Sequence, residues 1–173
     1  RETAHHIVAA EPGLDYVAVT RSTDVNKLKR LADIPGLHAL QLHAPFQGDL
    51  EGERQLLRRA REAASSLDIW RAVNRHEADF AALSGQLFPE VEALVLDSGN
   101  GGTGTRFNWS TIPTEVKSKS FPAGGLHIGN LDEALSVATA GLDLNSGLEY
   151  TPGRKDSALI SQAFSAIRNY THS

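Results

Sequence analysis

The chain has 173 residues, 40% of them apolar and 22% charged, with a net charge of −4, a balance suited to one globular domain with a real core. The acidic balance argues against a nucleic-acid surface, which needs a basic face, and no apolar run approaches the roughly 18 residues of a membrane span. Without a signal peptide or any cysteine, disulfides and thiolate metal sites are excluded from these residues and a cytoplasmic location is expected.

In chain order, the first predicted element is a helix over "ETAHHIVAAEP" (2–12). A strand follows at "DYVAVT" (15–20), then a helix in "STDVNKLKRLAD", with Thr23 as the cap before Val25, Leu28 and Leu31. "LHALQLH" (37–43) reads as the second strand. In the next helix, "ERQLLRRAREAASS", Leu56, Leu57, Ala60, Ala63 and Ala64 recur at helical spacing. Arg54, Arg58, Arg59 and Arg61 therefore fall on the opposite, watered face, and the cluster reads as solvation rather than as a binding patch.

The third strand is "DIWRAV" (68–73), and the helix "NRHEADFAALSG" opens with Asn74 and Glu77 at capping-box spacing and stops at Gly85. "EALVLDS" (92–98) is the fourth strand, and "STIPTEVKS" offers only one or two helical turns. "SFPAGG" (120–125) is the fifth strand, followed by a helix in "NLDEALSVATAG", capped by Asn130 with Glu133 and closed by Gly141. "GLDLNSG" (141–147) is the sixth strand. The last helix, "KDSALISQAFSAIRNY", is capped by Asp156 and has Leu159, Ile160, Ala163, Phe164 and Ile167 on one stripe.

Most of these strands are apolar on consecutive residues, as parallel strands covered on both faces are. Strands alternating with helices define parallel βαβ units and an α/β class. No linker divides the chain, so a single domain over 1–173 is expected. A doubly wound sheet of six strands accommodates the pattern. A (β/α)₈ TIM barrel accommodates it if two strands and one helix lie upstream of Arg1, the chain then covering strands 3 to 8. Small barrels run near 200 residues and a strand–helix–strand unit takes about 30. The absence of methionine and the leading helix favour the barrel with an upstream start.

In either architecture ligands gather at the C-terminal ends of parallel strands. Those ends carry His43, Asp97, the pair Gly124–Gly125, and Ser146–Gly147. The last two pairs follow consecutive strands, where backbone N–H groups and helix N-termini suit a phosphate; barrels often hold one after strands 7 and 8. Plain turns at Gly124 and Gly147 are the alternative. Asp97 is followed by "SGNGGTG", containing Gly102, a loop able to lie over a ligand because glycine adapts its backbone cheaply. The spacing fits neither a P-loop nor GxGxxG. A strand-end cap is the plainer reading of Asp97, and a core histidine that of His43.

With those residues placed, the chain resembles the phosphoribosylanthranilate isomerase family of tryptophan biosynthesis. The resemblance rests on "LQLHA", "LVLDS…GGTGTRFNW", "PAGGL" and "DLNSGLE…PGRKD", in the family's order across nearly the whole chain. Ala44 stands for the family's usual glycine, Thr105 for lysine, Asn108 for aspartate and Asn145 for the first serine. The resemblance implies a (β/α)₈ barrel and an aldose–ketose isomerase, an intramolecular oxidoreductase, acting on N-(5′-phosphoribosyl)anthranilate by an Amadori rearrangement. It implies Asp97 as general acid and Gly124, Gly125, Ser146 and Gly147 as phosphate anchor. His43, Gly102 and Asp143 would line the substrate pocket. No metal or organic cofactor is implied, and the only partner implied is the small phosphosugar substrate, with no nucleic acid or membrane.

The family's general base, a cysteine on the first strand, and its anthranilate-binding arginine after the second strand have no counterpart here and are expected upstream of Arg1. Two rivals remain at this point. One is a non-catalytic phosphosugar-binding relic of the barrel. The other is the histidine-pathway aminoaldose–ketose isomerase, which uses two aspartates and is built from two similar halves; no internal repeat is visible. Oligomeric state is not legible.

Overall fold

The computed structural model describes residues 13–74, 80–97 and 108–171. The leading helix, the Asn74–Glu77 capping box beyond Asn74 itself, and Gly102 lie outside the described residues. Five strands, β1 (Tyr16–Thr20), β2 (Leu37–Leu42), β3 (Asp68–Asn74), β4 (Ala93–Asp97) and β5 (Ser120–Ala123), form one sheet in the order β1-β2-β3-β4-β5. β1 pairs with β2 and β2 with β3 in parallel, with Leu40 opposite both Ala18 and Ile69. Each strand lies beside its predecessor in sequence. A doubly wound sheet would reverse its order at a switch point; this sheet does not, as expected of a singly wound barrel. Two further short strands, β6 (Glu149–Thr151) and β7 (Arg154–Lys155), form an antiparallel hairpin.

The chain divides into two compact units, residues 1–72 with 86–94 and residues 73–85 with 95–173. In the first, helix α1 (Val25–Ala32) and helix α2 (Leu50–Ala63) flank the strands. Leu28, Leu40, Leu42, Leu56, Leu57, Ala60 and Ile69 are fully or nearly fully buried, so the apolar stripe read from α2 is the core-facing one. Arg58, Arg59 and Arg61 are exposed on its other side. They are not idle: Arg58 pairs with Glu51 at 2.7 Å and Arg61 with Glu92 at 2.9 Å. Arg54, about two-fifths exposed, pairs with Glu90 at 3.1 Å.

The α1 cap differs from expectation. Asp24, not Thr23, has the extended backbone of an N-cap, and its carboxylate accepts from Lys27 N at 2.9 Å. Thr23 is one residue too far from the first turn to reach that N–H. Helix α3 (Phe80–Leu87) runs past Gly85, with Leu83 and Leu87 both buried. Burial of Leu87 outweighs the modest helix-interior cost of one glycine.

The second unit has its own apolar cluster: Leu131, Leu148 and Ala163, with Ile128, Leu142, Leu144, Leu159, Ile160 and Ala166 packed on it. Helix α5 (Ser157–Thr171) is capped as expected, Asp156 Oδ1 accepting from Ala158 N and Leu159 N at 2.8 and 3.2 Å. Its stripe is narrower than read, because Phe164 is 55% exposed. Helix α4 covers only Leu131–Ser136, stopping well before Gly141, where Ala138 takes a left-handed φ of 57°. Segments 109–111 and 114–119 are short 3₁₀ turns.

The expected sixth strand does not form as a ladder. Residues 141–147 run beside β5 with Asp143 N donating to Pro122 O at 2.9 Å, and Gly147 makes one isolated parallel bridge to His127. The chain then turns at once, Leu148 N donating to Asn145 O at 3.0 Å and Glu149 N to Ser146 O at 3.1 Å. The turn that starts at Asn145 takes the backbone off the extended path that a continuous ladder needs. No helix among the described residues is long and apolar enough to cross a membrane.

Candidate active site

His43 emerges directly after β2. Its backbone N–H donates to Thr20 O at 2.8 Å, extending the β1–β2 pairing by one residue, and its side chain is half-buried. Two residues that the sequence reading did not single out hold this turn. Arg71, on β3, is 1% exposed and pairs through Nε and Nη2 with Glu53 Oε2 and Oε1 at 2.8 and 3.0 Å. Arg71 Nη1 also donates to Leu42 O at 3.2 Å and Ala44 O at 3.0 Å, the carbonyls on either side of His43. Glu53, fully buried on α2, accepts from Gln47 N at 2.8 Å as well. One buried ion pair thus fixes both flanks of His43 and the loop beyond it. An arginine inside the apolar run of "DIWRAV" is the signal, since a charge in a covered strand must find a partner.

The other described candidates lie in the second unit. Asp97 ends β4 after four buried residues, Ala93 to Leu96, and is itself half-buried. Gly124 and Gly125 follow β5 with φ of 75° and 69°, left-handed conformations that non-glycine residues adopt at a cost. Gly147 permits an unusually close backbone approach: a Cβ there would lie 1.8 Å from Leu126 O. That contact and the His127–Gly147 bridge bring the 124–127 and 145–148 turns together, as two halves of one glycine-built cradle. Leu142 and Leu144 face the apolar cluster, and the alternation turns Asp143 away from it.

Asn130 stands at the N-cap position of α4 as the sequence suggested, but its side chain serves the 124–127 turn and not the helix. Its side chain makes no bond to α4. Instead Oδ1 accepts from His127 N and Nδ2 donates to Gly125 O, each at 2.9 Å. The amide is used in both directions by the loop behind it, so none is left for the helix.

The far side of the 145–148 turn is tied to the hairpin. Lys155 Nζ donates to Asn145 O at 2.8 Å, to Asn145 Oδ1, and to Glu149 Oε1 at 2.9 Å. The Lys155 hydrogen bond, with help from Gly153 N, holds the Glu149 carboxyl below its ordinary pKa. No group of three or more His, Asp or Glu that could hold a metal ion is found among the described residues. What the described geometry gives is two glycine-containing turns held in backbone contact through Gly147 and His127.

A parallel α/β sheet wound in one direction, with strand-end histidine, aspartate and a glycine cradle, defines the class: a TIM-barrel-like protein. Residues 1–166 match the family described as N-(5'phosphoribosyl)anthranilate (PRA) isomerase, and the chain belongs to that family. It is 40% identical to Tryptophan biosynthesis protein TrpCF of Corynebacterium glutamicum, over 98% of this chain and 37% of that protein. The Salmonella typhi protein of the same name is 33% identical over 98% of this chain and 35% of its own length. The chain thus spans about a third of the length of the curated relatives it matches. In fold it matches the crystal structure of phosphoribosyl anthranilate isomerase from Thermus thermophilus, with a TM-score of 0.77 and 24% identity. That match covers 98% of this chain and 80% of the other.

Proposed function

We propose that the protein isomerises N-(5′-phosphoribosyl)anthranilate to 1-(2-carboxyphenylamino)-1-deoxyribulose 5-phosphate in cytosolic tryptophan biosynthesis. In this reading residues 1–173 form strands 3 to 8 of one (β/α)₈ barrel domain. Asp97 donates a proton to the ribose ring oxygen as the C1′–O bond breaks, leaving a Schiff base. A base, supplied from outside these residues, removes the C2′ proton, and the resulting enol becomes the ketose. The Gly124–Gly125 and Ser146–Gly147 turns bind the phosphate, with His43, Gly102 and Asp143 lining the pocket. Phosphate binding far from the reacting carbons orients them for the proton transfers.

Family membership and the approach of Gly147 to Leu126 O are what support this reading most. Gly147→Leu tests it, because any side chain there must push the two turns apart. Hydrogen bonds to a charged group contribute about 1.5–3 kcal/mol each, so losing one should raise KM roughly 10- to 10²-fold. Steady-state kinetics on the variant, with kcat changed far less than KM, is the expected outcome. A KM equal to that of the natural protein would remove the phosphate from these turns.

A further inference from the structure

We propose that Lys155 is a positioning residue for phosphate binding, acting through Asn145. The inference rests on the reading of the 145–148 turn as part of the phosphate site. An ammonium has three N–H donors, and here all three are committed, to Asn145 O, Asn145 Oδ1 and Glu149 Oε1. The turn it spans contains Ser146 and Gly147. Asn145 O accepts from Leu148 N as well, and Asp156 N donates to Leu148 O at 2.9 Å. Lys155, at Asn145 and Glu149, together with Asp156 N at Leu148 O, therefore holds both ends of the segment whose middle, Gly147, faces the 124–127 turn.

Two consequences separate this role from direct attraction of the ligand. With its donors occupied and its charge balanced by Glu149, Lys155 acts on the turn's shape rather than as a phosphate ligand. The asparagine at 145, where the family's usual residue is serine, supplies a side-chain oxygen long enough to reach the ammonium. Asn145 and Lys155 thus work as a pair.

The test uses the protein as its gene encodes it, carrying Lys155→Met, Lys155→Arg, Glu149→Gln or Gly147→Leu. Isomerisation kinetics and competitive inhibition by inorganic phosphate are measured at equal folded concentration. Lys155→Met should raise KM and the inhibition constant for phosphate together, by roughly three- to tenfold, with kcat little changed. Lys155→Arg, which keeps charge and donors, should recover part of the loss. Glu149→Gln should not lower KM; a fall would mean that Lys155 acts by its charge on the ligand and would overturn the positioning role. A normal KM in Lys155→Met beside a raised one in Gly147→Leu would overturn the proposal while leaving the phosphate site intact. Normal values in both would overturn both.

Discussion

Asp97→Asn is expected to keep the fold and substrate binding while lowering kcat/KM by at least about 10²-fold, the usual cost of losing a general acid. The loss should fall on kcat, because the amide fills the same space yet cannot donate a carboxylic proton to the ring oxygen. Equal falls in kcat and kcat/KM mark an interaction made only in the transition state. The position suits the change: Asp97 closes β4, with Leu94 and Leu96 fully buried before it, and those residues hold the strand whatever the terminal side chain is. Near-normal turnover of the asparagine variant would leave Asp97 as a strand-end cap.

Arg71→Met is expected to destabilise the protein by about 3–5 kcal/mol, the cost of stranding one member of a buried ion pair. Glu53, with no exposed surface, would keep a carboxylate whose two strong donors are gone, and Leu42 O and Ala44 O would lose theirs. Urea unfolding at neutral pH measures the effect. Adding Glu53→Leu should recover much of it, since an apolar pair of similar volume is often as stable as a buried ion pair. A cost below about 1 kcal/mol for Arg71→Met alone, the range of an exposed pair, would show that the ion pair is hydrated rather than buried.

The strands were the most legible part of the sequence. β4 read as a consecutive apolar run because it is buried along most of its length, Ala93–Leu96. The α2 stripe was legible for the same reason at helical period. Part of what escaped was decided by polar side chains with tertiary partners. Thr23 and Asp24 are both good caps, and only the backbone at 24 settles the choice. Asn130 has the spacing of a capping box, yet its amide serves Gly125 and His127. Arg71 needs Glu53, eighteen positions away, a pairing that no local pattern encodes.

The site divides along the same line. Glycines at 124, 125 and 147 announce unusual backbone in the sequence, and the left-handed φ values and the Leu126 contact give the physical reason. Their supports, Asn130 on one turn and Lys155 on the other, look in the sequence like a helix cap and a surface charge. A supporting residue is recognisable only once the atom it holds has a place in space.

The most direct test of the proposed activity is turnover of N-(5′-phosphoribosyl)anthranilate by the protein as its gene encodes it, beside the same compound lacking the 5′-phosphate. Conversion to the 1-deoxyribulose product with a low KM is expected, with the KM for the phosphate-free compound raised by at least about tenfold, the loss of roughly 1.4 kcal/mol of anchoring. Folded protein that binds the phosphorylated compound without converting it, or that handles the two compounds alike, would contradict it.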